Sequence, residues 1–97
     1  MVSTPSISRV EAEILRLLLA NGELYGLELV AASKMIKRGT IYVTLGRMAD
    51  KGLVTSRAVK LEHERGMPRR LFAPTGLGQR VFAASQAAEA MLREAWA

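Results

Sequence analysis

The spacing of apolar residues changes at Gly52, and this change constrains the fold more than any other feature of the sequence. Before Gly52, apolar side chains recur every three or four residues, which is the period of an α-helix. After it, residues 53–60 are rich in β-branched side chains and are predicted to form a strand. Residues 69–73 can pair back antiparallel across a charged turn at 61–68 that contains Gly and Pro. Pro74 has no amide hydrogen to donate and is expected to end the hairpin.

Four helices are predicted around this hairpin. Ser8 and Glu11 have the spacing of a capping box, which marks the start of the first helix. A shorter helix is predicted over about 24–33, and a third over about 38–51. The last helix begins after Thr75, a natural N-cap, and runs to the C-terminus. The inward positions predicted for the second helix are Leu24, Leu27, Val30 and Ala31.

The composition fits one small domain. A chain of 97 residues is too short for two independent cores, and its 49% of hydrophobic residues indicate a globular protein. No apolar run approaches the ~20 residues that a membrane-spanning helix needs. The N-terminus shows no secretory signal, and the absence of cysteine excludes disulfides and thiolate metal sites. We therefore expect a cytoplasmic protein without a membrane contact.

Positive charge is concentrated in the middle of the chain. Residues 34–70 contain ten basic and three acidic residues, a net charge of +7, whereas the four basic and six acidic residues elsewhere give −2. A basic segment between mildly acidic ends indicates a surface that faces a polyanion. On charge alone, a solvated basic surface without a partner remains an open alternative.

The order of elements predicts a winged helix-turn-helix. Three helices, a basic hairpin and a further helix indicate an α+β, mainly helical fold, with the hairpin as a two-stranded wing. We expect the winged-helix core at 7–74 and an added C-terminal dimerisation helix at 75–97. In such folds the third helix inserts into the major groove of double-stranded DNA, whose width of ~12 Å admits an α-helix.

The third helix has two different faces. Ile41, Leu45 and Met48 recur at helical spacing and are expected to hold the helix on the core. The opposite face can form hydrogen bonds, and Arg47 is the best candidate for reading a base, because its guanidinium can contact guanine O6 and N7 together. Cations of the wing are expected to contact phosphates, which set affinity and register. The predicted DNA-binding residues are Lys37, Arg38, Thr40, Tyr42, Thr44, Arg47, Lys51, Arg57, Lys60, Arg65, Arg69 and Arg70.

The last helix carries a heptad-like seam that suits close packing against another helix, from this chain or from a partner. Packing against the chain's own first helix is the alternative to dimerisation, and both can hold together. Trp96, the only tryptophan, can stack on a planar ligand with Met91 and Leu92, or anchor an interface with a partner chain. The predicted dimerisation residues are Leu77, Val81, Ala84, Ala88, Met91 and Ala95.

Three stretches of the sequence, in order, resemble motifs of one known family. The stretch ILRLLLANGELYGLEL resembles its first helix and the entry to its second, GTIYVTLGRMADKGLV resembles its recognition-helix signature, and GMPRRLFAPTGLG resembles its wing return. Together they resemble the PadR-like family of winged-helix transcriptional regulators. The resemblance covers about residues 14–82 and is to the short subfamily, in which one helix follows the wing. Lys37 and Arg38 depart from the Ser-Pro that usually starts the family's recognition helix.

The resemblance implies a repressor that binds a palindromic operator as a homodimer and is released by a small aromatic effector. No cofactor is implied. A dimeric winged helix that binds a protein instead of specific DNA is the alternative, although it would have little need for the central positive charge. Enzymatic activity is not expected, because His63 is the only histidine, no cysteine accompanies it, and no glycine-rich phosphate loop is present.

Overall fold

The computed structural model describes residues 6–60 and 69–96, which form four helices and a three-stranded sheet. This is the predicted winged helix-turn-helix, with one additional short strand. The predicted turn at 61–68, which includes His63 and Arg65, lies outside the described residues. In chain order the elements are α1 (Arg9–Asn21), β1 (Leu24–Tyr25), α2 (Gly26–Ala32), α3 (Ile41–Asp50), β2 (Val54–Val59), β3 (Arg69–Pro74) and α4 (Gly76–Trp96).

The capping box predicted for α1 is confirmed. The Glu11 amide donates to Ser8 Oγ at 3.1 Å, and the Ser8 amide donates to Glu11 Oε1 at 2.8 Å. At the other end of α1, Gly22 has a φ of 88° and its amide donates to the Leu18 carbonyl. These bonds satisfy backbone groups that a helix end leaves without partners. Local sequence therefore fixes both ends of α1.

The second helix begins later than predicted, and its predicted inward face is right only in part. Leu24 and Val30 pack against the core as predicted. Leu24–Tyr25 form β1, which pairs antiparallel with β3, so α2 begins only at Gly26. α2 buries Leu29 completely, whereas Leu27 is 49% exposed. Periodicity over so few residues could not distinguish these positions, because a pairing with a distant strand decides where the helix starts.

The sheet joins the wing to the helices. β3 is its central strand and pairs antiparallel with β1 on one side and β2 on the other. Phe72 of β3 lies opposite Leu24 of β1 and Ser56 of β2, and is 7% exposed. Because β1 leads directly into α2, the wing is attached to the start of that helix.

The core is built mainly from aliphatic side chains of α1, α2 and α3. α3 supplies the three apolar residues predicted to face inward, and it begins at Ile41 after a turn in which the Thr40 amide donates to the Lys37 carbonyl. The predicted start near Arg38 falls in that turn. The largest fully buried side chains are those of Ile14, Leu15, Leu18, Leu29, Ile41, Leu45, Met48 and Leu53.

Thr75 caps α4 and ties it to the end of α3. Its Oγ1 accepts from the Gly78 amide at 3.0 Å and donates to the Gly52 carbonyl at 2.6 Å. Gly78 packs so closely on Leu53 that a Cβ atom there would overlap the Leu53 carbonyl oxygen. Residues 86–96 of α4 are exposed. None of the helices in the described ranges combines the length and apolarity needed to cross a membrane.

Candidate nucleic-acid interface

α3 has one buried face and one exposed face, as its sequence predicts. The side chains of Ile41, Leu45 and Met48 are each no more than 1% exposed. On the other side, Tyr42 and Val43 are 56% and 58% exposed. Because the buried face is closely packed on the core, the exposed face has a fixed orientation.

The hydroxyl groups of Thr44 on α3 and of Thr40 directly before it each lie close to a backbone carbonyl of the chain. Thr44 Oγ1 donates to the Thr40 carbonyl at 3.0 Å, so its oxygen is left to accept a hydrogen bond. Thr40 Oγ1 contacts the Lys37 carbonyl at 3.5 Å, which is long for a hydrogen bond. In this conformation Thr44 can accept from a base amino group, but it has no hydrogen to donate to a phosphate oxygen.

A cleft of about 370 Å³ lies beside α3 and brings several predicted site residues together. Cationic side chains and hydroxyl groups share its lining with the Glu11 carboxylate and with apolar Val10 and Met35, and the charges in the cleft are mainly positive. Arg38 is exposed on the turn before α3. The predicted site residues that line the cleft are Lys37, Thr40, Thr44, Arg47 and Lys51.

Lys51, which the sequence predicts to contact DNA, lies in an ion pair. Its Nζ is 2.9 and 3.2 Å from the two carboxylate oxygens of Glu11, a residue that is only 5% exposed. Burial works to raise the pKa of Glu11, but hydrogen bonds from the Ser8 amide and from Lys51 outweigh it, and the pKa lies below its ordinary value. The pair links the end of α3 to the start of α1. A phosphate would have to compete with Glu11 for this ammonium group.

The wing cations differ in their surroundings. Arg57 of β2 donates two hydrogen bonds to Glu23, at 2.8 and 3.2 Å, which lower the pKa of the Glu23 carboxyl and raise that of the guanidinium. The guanidinium of Arg69 lies over the Tyr25 ring, 5.7 Å from its centre. The other wing cations in the described residues, Lys60 and Arg70, are exposed.

A second cleft, of about 480 Å³, lies where α2, α3 and β3 meet. The sequence predicts Tyr42, Arg69 and Arg70 of this cleft as site residues. It assigns no role to Tyr25, because the strand that carries this ring was read as the start of a helix. The sequence feature that could have identified Tyr25 is that an aromatic residue stands directly before a glycine, Gly26. The lining residues are Tyr25, Gly26, Leu27, Glu28, Tyr42, Arg69 and Arg70.

The seam of α4 divides into two parts. Val81 is 3% exposed and Leu77 packs against the same core, so these two positions lie inside the chain's own fold. The remaining seam residues, Ala84, Ala88, Met91 and Ala95, are exposed. Near the end of α4, the exposed fractions of Met91, Leu92 and Trp96 are 70%, 59% and 86%.

Metal binding has no candidate site in the part of the chain that the structure describes. There, no three His, Cys, Asp or Glu side chains are grouped as ligands of one ion would be.

Solved structures with a similar fold include PadR regulators from several bacteria. A PadR family transcription regulator from Clostridium difficile R20291 superimposes with a TM-score of 0.77 and 22% identity, over 91% of this chain and 94% of that one. A PadR-like transcription factor from Bacteroides fragilis gives a TM-score of 0.79 and 24% identity, over 89% and 84%. Bacillus subtilis PadR, solved in complex with operator DNA, gives 0.72 and 22%, over 84% of this chain and 48% of its own. No curated protein matches the sequence.

The family match supports a stronger conclusion than these structural likenesses do. At such identities the solved structures establish the fold, whereas residues 14–84 as a whole match the transcriptional regulator PadR-like family. This range runs from the middle of α1 through α3 and the wing into α4. Members of the family are transcriptional regulators and not enzymes. This chain belongs to the transcriptional regulator PadR-like family.

Proposed function

We propose that this protein is a cytoplasmic repressor that binds a palindromic operator in double-stranded DNA as a homodimer. The exposed face of α3 carries the proposal. It lies on a helix whose other face is fully buried, and the cations Lys37, Arg38 and Arg47 lie along or beside it. The operator complex of Bacillus subtilis PadR, which has a related fold, supports the same use of the face here.

Different residues of this surface have different roles in the proposal. Arg47 reads a guanine through its O6 and N7, and Thr44 accepts from a base amino group. Cations before α3 and on the wing contact phosphates, which set affinity and register. Lys51 and Arg57 add positive charge nearby, although their ion pairs reduce what they offer to a phosphate. The phosphate contacts are assigned to Lys37, Arg38, Thr40, Tyr42, Lys60, Arg65, Arg69 and Arg70.

The exposed end of α4 supports a homodimer. Met91, Leu92 and Trp96 present apolar surface that the chain itself does not bury, and such surface is typical of interfaces. A two-fold axis through paired α4 helices gives two equivalent α3 helices. A symmetric pair reads a palindrome whose half-sites are about 34 Å apart, one turn of DNA.

A small aromatic effector completes the proposal. The indole of Trp96 is 86% exposed, and its flat face can stack on a planar compound held between two protomers. Such a compound would favour an arrangement of the α3 helices that does not fit the operator. Titration with hydroxycinnamates is expected to quench the Trp96 fluorescence. Unchanged fluorescence with every aromatic acid and planar drug tried would contradict the effector but leave DNA binding untouched.

Selection of bound duplexes from a random pool tests the central claim. We expect an enriched palindrome whose binding, followed by fluorescence anisotropy, weakens about 10³-fold or more between 50 and 200 mM salt, because each phosphate contact releases counterions. A pool without an enriched sequence, together with binding that ignores salt, would instead favour the protein-interaction module.

Replacement of Arg47 separates base reading from phosphate binding. Arg47→Ala is expected to lower operator affinity by about 1–3 kcal/mol and to relax the preference at one base position. Arg70→Ala should weaken all duplexes alike and reduce the salt slope by about one. Arg16→Ala, on α1 where Arg16 pairs with Glu13, is the control and should change neither property. Equal losses from Arg47→Ala on every duplex would contradict the assignment of Arg47.

A further inference from the structure

The backbone conformation at Gly26 does not require a glycine. Among the described residues, positive φ occurs only at Gly22 and Gly52, so Gly26 has a conformation open to any L-residue. What Gly26 provides is space. A Cβ atom built on it would lie 2.7 Å from Cε1 of Tyr42 and 3.0 Å from both its Cζ and Oη. The ring of Tyr42 thus rests directly on the backbone at the start of α2.

This contact connects α3 to the wing. Tyr25 precedes Gly26 and belongs to β1, which pairs with β3 of the wing. The ring of Tyr25 in turn lies under the guanidinium of Arg69 from β3. The backbone at Gly26, on which the Tyr42 ring rests, therefore has a fixed position relative to both the sheet and α3. It lies on the cleft of about 480 Å³ whose lining also includes Arg70.

We propose that Gly26 is a positioning residue for DNA binding, because it seats the ring of Tyr42 between α3 and the wing. This inference rests on the proposed function and refines it. The Tyr42 hydroxyl is held at the cleft between two DNA-facing elements, where it donates to one backbone phosphate while Arg70 neutralises that phosphate's charge. Gly26 itself does not contact DNA, and it acts only through Tyr42.

A double-mutant cycle on the selected operator tests this dependence. Gly26→Ala and Tyr42→Ala are each expected to weaken binding about tenfold, the loss expected for one hydrogen bond to a charged group. The double variant should bind no more weakly than either single variant, because Gly26 has no effect without the ring. A loss of about 100-fold in the double variant would show that Gly26 acts independently of Tyr42, and would overturn the inference.

Folding of the variants is checked separately. The atoms that would clash in Gly26→Ala belong to the far end of a side chain that is 56% exposed, so the ring can swing aside and the chain should still fold. We expect its Tm to stay within a few degrees of the wild-type value. Gly46→Ala is the matched control, because a Cβ at Gly46 meets nothing within 4 Å. Its Tm should rise, since alanine favours a helix interior over glycine.

The seat can also be observed without DNA. In the wild-type chain, a nuclear Overhauser effect is expected between the Gly26 Hα protons and the ring protons of Tyr42, and Gly26→Ala should remove ring contacts at this position. The absence of this effect in the wild-type chain would contradict the packing of the Tyr42 ring on Gly26. If the wild-type chain shows this effect but binds no duplex, the proposed function is contradicted, and the positioning role of Gly26 falls with it. The observed contact would then show that the DNA-binding proposal failed and that the packing of Tyr42 on Gly26 did not.

Discussion

α3 and the distal part of α4, residues 86–96, both carry apolar residues at helical spacing, but those residues lie in different surroundings. On α3, Ile41, Leu45 and Met48 are essentially inaccessible to solvent. On α4, Met91 and Leu92 are more than half exposed. An apolar stripe indicates a face that will be covered, and it does not say by which chain. Here α3 is covered within the chain, and the distal part of α4 is left for a second copy in the proposed homodimer.

The reason for the difference lies in where α4 leaves the core. Its first turns are held by the Thr75 cap, by the close contact of Gly78 with Leu53, and by burial of Val81. α4 extends over 21 residues, which is about 30 Å at 1.5 Å per residue. α1 and β3, the elements packed on α4, cover only its beginning.

The largest expected effect concerns stability on the two helices. Leu45→Ala should lower the free energy of unfolding by about 2–5 kcal/mol, because it opens a cavity in a closely packed core. Leu92→Ala removes the same atoms from an exposed site and should change the stability of the monomer by less than about 0.5 kcal/mol. Urea unfolding at protein concentrations low enough for monomers measures both. Similar losses in the free energy of unfolding for Leu45→Ala and Leu92→Ala would contradict the difference in burial between α3 and the distal part of α4.

The next effect concerns association. Leu92→Glu should weaken the homodimer at least tenfold, about 1.4 kcal/mol, because it places a charge in a desolvated apolar contact. Val43→Glu on α3 is a matched control, since Val43 and Leu92 are 58% and 59% exposed. Sedimentation velocity over a range of concentrations should show normal association of the control. A Leu92→Glu protein that dimerises like the wild type would remove the distal part of α4 from the interface.

The smallest effect tests the ion pair that holds the end of α3. Glu11→Gln removes the carboxylate that accepts from Lys51 and should lower the free energy of unfolding at pH 7 by about 1 kcal/mol, because solvent screens the partly exposed Lys51. Because the pKa of Glu11 is lowered in the folded state, this stabilisation is complete above the ordinary value of 4.5 and is lost as pH falls through the folded pKa. Urea unfolding of both proteins at pH 7, 5 and 3 should show the difference between them becoming smaller as the pH falls below 4.5.

The comparison of wild type and variant is necessary for this measurement. The pKa values of Glu13 and Glu23 are also lowered, by hydrogen bonds from Arg16 and Arg57 respectively, so the whole protein loses stability in the same pH range. Only the difference between the two proteins isolates Glu11. A difference that stays constant from pH 7 to pH 3 would mean that the charge of Glu11 contributes nothing.

The basic surface shows how far the sequence could lead. The sequence indicated that the middle of the chain is positive and which cations are there, but it could not show which of these cations form ion pairs within the chain. Glu11 is 40 positions from Lys51, and Glu23 is 34 positions from Arg57. No local pattern relates residues at such separations. The role inferred for Gly26 has the same origin, because it depends on a ring carried by another helix.

By itself, the sequence determined the features that neighbouring residues decide: the capping box of α1, the two faces of α3, the wing hairpin and the Thr75 cap. These rest on backbone hydrogen bonds and side-chain periods that span a few residues. Only the tertiary structure decided that residues 24–25 form a strand, that Leu29 and not Leu27 is buried, and that α4 is covered for part of its length. Each of these depends on contact with a distant element. The free energy of such contacts can exceed a weak local preference for helix or strand, and that preference is all that a short stretch of sequence contains.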